Sequence, residues 1–458
     1  MKKAGIGRSQ QESAGCFRPF TPIMPTSFEG RFAGAGGAPR SGRVDWAMSR
    51  DNRSRDWESW RIMKFLSRSV WDYRRKLMRD VMARNRLDAL LFSTADFFQF
   101  ATNFNVDVQT WERPILVCVP FDGEPRAIMN ELSTHHVRMA REREQFWVDD
   151  VQFYFEHPKL TERGFSLPQL PEMIHDLLSR CGLRASRIGI DASQPSLARA
   201  AGMSPEVKLI PCLEDMRAMR WVKHAEELEI MRQAASLSDY IQDRYRENIR
   251  PGRLVQELDC QMAVSMVEEG ARRFPGANLE VLRCWTLSGP ASASPHGDGA
   301  SCGAKIGKSD VLVNIVIPRL NGVVIENERT WFAGEPSPDQ RKYYEVARAA
   351  NEAASAAAVT GAPVSSIDAA AQKIIEEAGC GSFIRHRTGH GMGLLGHEYP
   401  HDMAFNHRPL LDNEVYSAEP GIYVYGLGGF RMDDTVVVGR QPEILTKAPR
   451  DIKSQIVN

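Results

Sequence analysis

The clearest alternation of apolar and polar positions lies between Asp310 and Trp331 (DVLVNIVIPRLNGVVIENERTW). Two runs rich in β-branched residues flank a Pro-Arg-Leu-Asn-Gly stretch, which predicts a β-hairpin. If Pro318 to Gly322 form the loop, Asn314 faces Glu326, whereas a two-residue Asn-Gly turn gives a different register. In the wider register, a buried amide lies beside a buried carboxylate, which is costly unless something binds there. The pattern therefore indicates a binding site, and the alternative is an edge hairpin whose polar face meets water.

The rest of the chain alternates between helical and strand-like periodicity. Helices are predicted at 70–86, 131–143 and 169–180, and strands at 88–93, 114–120, 126–129 and 187–191. This alternation predicts a compact α/β domain that ends near Pro211. A long helix at 213–245 is expected to follow, and further helices are predicted at 255–270, 343–360 and 366–378. The first 55 or so residues, rich in Gly, Ser, Pro and Arg, predict a disordered extension.

Composition narrows the class of protein. The 458 residues are 43% hydrophobic and 25% charged, which is typical of a globular protein. The 58 basic and 58 acidic residues cancel, which argues against binding to nucleic acid or a membrane surface through bulk charge. No apolar run reaches the ~20 residues that a membrane span needs. The eight cysteines show no CxxC spacing, which favours reduced thiols in a cytoplasmic protein.

Histidines and acids recur in the C-terminal half, each in a short glycine-rich or strand-like context. They are His296 in ASPHGDGA, His386, His390 and His397 in HRTGHGMGLLGHE, Glu419 in SAEPGIYV and Asp433 in FRMDDTVVV. Each motif alone is also typical of an ordinary loop or turn. Together with the acid of the hairpin, they supply what a metal site or an acid/base pocket needs.

This ordered set of motifs, from about residue 216 to 438, resembles the M24 "pita-bread" hydrolases, which include methionine and Xaa-Pro aminopeptidases, prolidases and creatinase. The resemblance implies an α+β fold, with a pita-bread catalytic domain at 213–458 preceded by a smaller creatinase-type α/β domain at 59–212. Residues 1–58 would form the extension. The same branch implies a homodimer.

The peptidases of the family hold two divalent metals with two Asp, one His and two Glu. Carried over motif by motif, these positions fall on Asn314, Glu326, His390, Glu419 and Asp433, of which only His390 and Glu419 keep the residue type. The formal negative charge falls from four to three, so we expect the two-metal centre to be lost. The alternative is one divalent metal (Mn, Fe, Co or Zn) held by the four residues other than Asn314.

Creatinase, the metal-free member of the family, offers a precedent for such changes. The resemblance then implies that His296 transfers protons, that Glu326 and Glu419 bind a cationic substrate, and that the other site positions contact it: Asn314, His386, His397 and Asp433. A bound guanidinium would replace the lost positive charge between these acids. The sequence thus predicts a cofactor-free hydrolase that cleaves a C–N bond in a small cationic amidine, guanidino compound or amide.

Three alternatives remain open at this point. The first is a metal-dependent Xaa-Pro aminopeptidase or dipeptidase with an altered metal site. The others are an enzyme similar to the family's dimethylsulfoniopropionate lyase and a non-catalytic protein that keeps the fold for binding. Metal content separates the first alternative from the cofactor-free hydrolase.

Overall fold

The computed structural model describes residues 65–106, 108–156, 166–298 and 302–457. The predicted disordered extension at 1–58 lies outside these residues. None of the helices in the described ranges combines the length and the apolar character that a membrane span requires.

The N-terminal part alternates helices and strands, as its sequence pattern predicts. Its elements are α1 (Arg68–Asn85), β1 (Ala89–Phe92), α2 (Ala95–Thr102), β2 (Leu116–Pro120), β3 (Arg126–Asn130), α3 (Thr134–Glu142), β4 (Asp150–Tyr154), α4 (Leu170–Arg180), β5 (Arg187–Ile190), α5 (Pro195–Gly202) and β6 (Lys208–Pro211). These strands form a mixed sheet in the order β4-β3-β2-β1-β5-β6. Its apolar strands, β1 and β2, are buried on both faces between the helices.

The predicted single helix at 213–245 is two helices, α6 (Leu213–Ala218) and α7 (Ala225–Asn248). The prediction was wrong between them because His224 starts a new helix. Its ring accepts a hydrogen bond from the Glu226 N–H, and the Glu227 side chain accepts one from the His224 N–H. This reciprocal capping box satisfies N–H groups that the first turn of a helix leaves free.

The C-terminal part packs helices against a second, larger sheet. Its elements are α8 (Val255–Arg273), β7 (Leu279–Ser288), β8 (Val311–Leu320), β9 (Val323–Val324), β10 (Asn327–Ala333), α9 (Pro338–Ala357), α10 (Ser365–Glu377), β11 (Val415–Ala418), β12 (Gly421–Val424), β13 (Gly428–Arg431), β14 (Asp433–Val437), β15 (Glu443–Ile444), α11 (Ile452–Gln455) and β16 (Ile456–Val457). The main path of the sheet runs β11-β14-β10-β8-β7, and β12 pairs with β13 beside it.

The two faces of this sheet have different neighbours. Leu312 and Trp331 belong to the core that includes α7 and α8, whereas Val311 and Phe332 belong to the core built with α9 and α10. The next positions on that second face, which include Ile315, line an open cavity. Alternate residues of β8 and β10 therefore point either at the α7 and α8 layer or at the cavity.

The central hairpin uses the tight Asn321-Gly322 turn. Both residues have positive φ (47° and 83°), and Leu320 pairs with Val323. This is the backbone twist that two-residue hairpins favour. The wider register is therefore not formed, and Asn314 lies opposite Arg329 instead of Glu326.

Candidate metal centre

A row of side chains crosses the cavity face of the sheet. Glu328 of β10 pairs with Ile315 of β8 on one side and with Asp433 of β14 on the other. Directly opposed residues point to the same face, so the two acids are held side by side. Glu419, which follows β11, adds a third carboxylate, and one oxygen of each of the three acids lies within 4.8 Å of the others.

A second group of ligand atoms adjoins the first. One atom each from Glu326, His390 and His397 lie within 4.8 Å of one another. The His390 Nε2 atom is 3.5 Å from the Glu326 carboxylate and 3.4 Å from the Glu419 carboxylate, so it joins the two groups. The rings of His390 and His397 stack with centroids 3.8 Å apart.

The segment that carries these histidines is fixed by its backbone. The carbonyl of Gly391 lies 3.0 Å from His390 Nδ1, which leaves Nε2 to face the acids. A side chain at Gly389 would collide with the carbonyl of Ser417, so a glycine is needed where this segment meets β11. Glu398 closes the segment by accepting a hydrogen bond from the Leu394 N–H at 2.8 Å.

Glu398 also ties the segment to the N-terminal part of the chain. Its carboxylate pairs with the buried guanidinium of Arg220, which in turn pairs with Asp96 of α2. The ammonium of Lys223 lies 3.6 Å from the same carboxylate. This buried network explains why an acid follows His397 directly, because Glu398 orients the segment that carries the histidines.

A cavity of about 600 Å³ opens over the acids and histidines. The residues around it are Leu282, Arg283, Trp285, Pro295, His296, Ile315, Ile317, Glu326, Glu328, His386, Arg387, Gly396, His397, Glu419 and Arg431. Five of the predicted site residues therefore face this space directly: His296, Glu326, His386, His397 and Glu419. His390 and Asp433 lie buried beneath them.

Arg431 is a buried cation at this site that the sequence reasoning missed. Its guanidinium pairs with Glu328, donating to Oε1 at 3.0 Å, and also donates to the Tyr423 hydroxyl and the Pro295 carbonyl. The Tyr423 oxygen lies 2.8 Å from His386 Nε2. The sequence does carry a signal for Glu328 and Arg431. Side chains two positions apart in a strand point to the same face. Glu328 follows Glu326 by two positions, and Arg431 precedes Asp433 by two.

Asn314 does not join the group. Its side-chain amide donates to the Thr286 hydroxyl at 2.6 Å, and that hydroxyl donates to Asp259 of α8. Because it lies on the α7 and α8 face of β8, Asn314 points away from the cavity. The five positions carried over from the motifs therefore bring only four side chains together.

Burial and like charge set the protonation of these acids. Burial raises the pKa of the Glu328 carboxyl to about 8, even though Arg431 lies beside it. Burial and the charges of Glu326 and Glu419 hold the pKa of Asp433 well above its ordinary value. Burial lowers the pKa of His390, but the neighbouring carboxylates outweigh it and raise that pKa to about 10. The site therefore contains more negative charge than its own cations neutralise.

The donor set fits a divalent cation. Both carboxylate oxygens of Asp433 are buried and make no hydrogen bond, and the buried Nε2 atom of His390 has only its ion-pair contacts with Glu326 and Glu419. Such unpartnered atoms are costly in a protein interior, and carboxylate and imidazole are ligands that Mn, Fe, Co and Zn accept. Glu326, His390, Glu419 and Asp433 could hold the ion, with His397 in reach.

Comparison with known proteins agrees with this chemistry. The family described as metallopeptidase family M24 matches residues 229–440, and the creatinase/prolidase N-terminal domain matches residues 74–222. The chain is 31% identical over 248 residues to the Xaa-Pro dipeptidase of Pyrococcus furiosus, covering 54% of this chain and 69% of that protein. It is 29% identical over 285 residues to the putative dipeptidase YkvY of Bacillus subtilis, covering 61% and 76%. The solved prolidase from Thermococcus sibiricus is similar at 26% identity with a TM-score of 0.69, covering 85% and 98%.

These findings correct two predictions. The cofactor-free hydrolase of a cationic compound is wrong, because relatives are named dipeptidases and Xaa-Pro dipeptidases. The expectation of no cofactor is wrong as well, because two groups of candidate metal ligands converge in the cavity. The prediction that the metal centre is lost counted ligands at only five motif positions. It omitted Glu328 and His397, which the fold brings next to the other candidate ligands.

The pattern of motifs, the sheet with its candidate acid and histidine ligands, and the matches to both domains all lead to one assignment. The chain belongs to metallopeptidase family M24, with a creatinase/prolidase N-terminal domain in front of a pita-bread catalytic domain.

Proposed function

We propose that this protein is a metal-dependent dipeptidase that cleaves the bond before proline. The observation that carries the proposal is the convergence of Glu326, His390, Glu419 and Asp433 below one open cavity. The volume of about 600 Å³ is in the range of small-molecule sites and suits a dipeptide. The names of the relatives support the same substrate class.

A divalent cation bound here would polarise the peptide carbonyl and lower the pKa of a water molecule. The chain's own part begins with holding its ligands rigid. His390 is fixed by the Gly391 carbonyl, and Asp433 is fixed by the pairing of β14 with β10. A preorganised site of this kind does not have to rearrange during the reaction.

Three histidines on the cavity wall would handle the substrate. His296 is exposed at the wall, where it can give a proton to the leaving proline nitrogen. His386, held by the Tyr423 hydroxyl, and His397, stacked on His390, would flank the bound peptide. These roles agree with the residues that the motifs single out.

Metal removal gives the direct test. The purified protein is expected to contain about one divalent metal per chain and to hydrolyse Ala-Pro. Chelation should abolish the activity, and Mn, Fe, Co or Zn should restore it. The bound metal should also stabilise the fold, by about 2.7 kcal/mol at a hundredfold excess over its dissociation constant. Undiminished hydrolysis by protein shown to be metal-free, with an unchanged circular dichroism spectrum, would contradict the proposal.

Asp433→Asn should have opposite effects on stability with and without metal. In the metal-free protein, burial and the charges of Glu326, Glu419 and Glu328 raise the pKa of Asp433, so its carboxyl costs stability at neutral pH that a neutral amide does not. The change should therefore raise the free energy of unfolding by about 1–2 kcal/mol. In the presence of metal, the variant should gain much less stability than the parent protein, because a ligand oxygen is lost.

Urea unfolding with and without metal measures both effects. Asp339→Asn, at an acid in the first turn of α9 and away from the cavity, is the matched control. A variant that is stabilised by metal as strongly as the parent protein would remove Asp433 from the ligand set.

A further inference from the structure

Two guanidinium groups, those of Arg283 and Arg387, line the cavity without a carboxylate partner among the described residues. This is unusual, because three acids line the same cavity. Arg431, the third arginine of the cavity, pairs with Glu328 and also donates to Tyr423 and Pro295. The other two carry positive charge that no acid in the described part of the chain neutralises.

Each of the two groups makes a contact of its own with an uncharged neighbour. Arg283 lies over the ring of Trp285, with 5.1 Å between its guanidinium carbon and the ring centroid. The Nε atom of Arg387 donates to the Gly389 carbonyl at 3.0 Å, and its terminal nitrogens make no hydrogen bond to another described residue. The cavity thus contains both acids and positive charge that is not paired with them.

A β-bulge places Arg283 on this wall. The pairing of β7 with β8 shifts between Val281 and Arg283, and from there Arg283 lies opposite Ile317. A bulge changes the direction in which the following side chains point. Trp285 and Ile315, the next opposed pair on the same face, continue the wall, so an apolar strip runs from Arg283 towards the acids.

This arrangement matches a short zwitterion with an apolar body. A dipeptide has an amino group that acids and a metal centre attract, and a carboxylate only one residue away. Guanidinium groups bind carboxylates through paired N–H donors, and burial strengthens the interaction. The apolar strip between the two charged regions suits a proline ring.

We propose that Arg387 and Arg283 bind the terminal carboxylate of the substrate and thereby restrict cleavage to dipeptides. The inference rests on the proposed dipeptidase function and adds residues that determine specificity. An amide in place of the carboxylate, or a third residue after proline, would leave the guanidinium groups unpaired. Such substrates should therefore be rejected through the loss of binding.

The kinetic test compares Ala-Pro with Ala-Pro-amide. The parent protein should favour the free dipeptide by about 10- to 100-fold in kcat/KM, mostly through KM, as expected for a charge-assisted hydrogen bond. Arg387→Met should abolish most of this preference, because kcat/KM for the free dipeptide should fall to about the value for the amide. Arg283→Met should reduce the preference less, because Arg283 is exposed. Arg387→Lys should recover part of it, since charge remains but the paired donors do not.

A binding test separates this inference from the proposed function. It uses the uncleavable analogue of Ala-Pro, in which a methylene group replaces the scissile carbonyl, and its amide, measured by calorimetry on the protein as purified. The matched control is Arg385→Met, because Arg385 is exposed and donates to the Ser382 and Ile384 carbonyls outside the cavity.

The inference is supported if the parent protein binds the carboxylate analogue more tightly than the amide analogue, and if Arg387→Met loses this preference while Arg385→Met keeps it. This holds even if the protein hydrolyses neither substrate. Equal binding of the two analogues by the parent protein overturns it, even in a protein that is an active peptidase. Equal weakening of both analogues in Arg387→Met overturns it too, because a merely structural arginine would not distinguish them.

Discussion

His390→Ala should lower kcat/KM for Ala-Pro by more than about 10³-fold. Loss of a residue that only supports a metal ligand costs about 10–100-fold, and His390 contacts both acidic groups itself. Without the imidazole, Glu326 and Glu419 lose the neighbour that links them, so bound metal should fall in parallel with activity. The measurements are steady-state kinetics and metal content of the purified variant.

The matched control for this prediction is His401→Ala. His401 is exposed and its ring contacts only Tyr399 among the aromatic residues described, at a distance of 5.9 Å. The control variant should keep the metal and the activity. A His390→Ala protein that keeps a full equivalent of metal and the parent's kcat/KM would remove this residue from the centre.

The sequence predicted the fold well because its evidence is local or ordered along the chain. The period of two in β8 and β10 and the glycine-rich histidine motif are readable one segment at a time. The break between α6 and α7 was missed because the N-cap of α7 is His224, a less common capping residue than Ser or Asp. Local chemistry thus decided both the successes and that error.

The composition of the site was harder to predict because it depends on strand register. A difference between a five-residue loop and the observed turn moved Asn314 from opposite Glu326 to opposite Arg329. In the observed register, the Asn314 amide lies on the face of β8 that packs against α7 and α8. Glu328 lies beside Asp433 on the cavity face. Register is fixed by turn geometry and by packing on both faces, which a motif comparison does not contain.

The prediction that no metal binds failed for the same reason, because motifs along the sequence do not show which side chains meet in the folded protein. Counting charge at five motif positions suggested a site too weak for metal, although Glu328 and His397 add donors from neighbouring segments. The unpartnered oxygens of Asp433 could be recognised only in three dimensions. Sequence reasoning therefore found most of the residues but misjudged their joint charge and their ligand.

Arg329→Met should produce the largest loss of stability, about 3–5 kcal/mol in the free energy of unfolding. Arg329 is fully buried and pairs at 2.8 Å with Asp434, which is also fully buried. Its guanidinium further donates to the Ala448 and Asp433 carbonyls. Removing one partner of such a pair leaves an uncompensated charge in the interior, which is the expensive case. Urea unfolding followed by tryptophan fluorescence measures the loss.

Two further variants show whether the unpaired charge is the cause. Arg232→Met breaks an ion pair with Glu443 whose side chains are 42% and 44% exposed, and should cost at most about 1 kcal/mol. The double variant Arg329→Met/Asp434→Asn should recover part of the loss, because it removes the orphaned carboxylate, although Thr446 and Arg450 also contact Asp434. If Arg329→Met cost no more than Arg232→Met, the buried pair would not be what holds β10 to β14. The positions of Glu328 and Asp433 at the metal centre would then depend on the strand pairing alone.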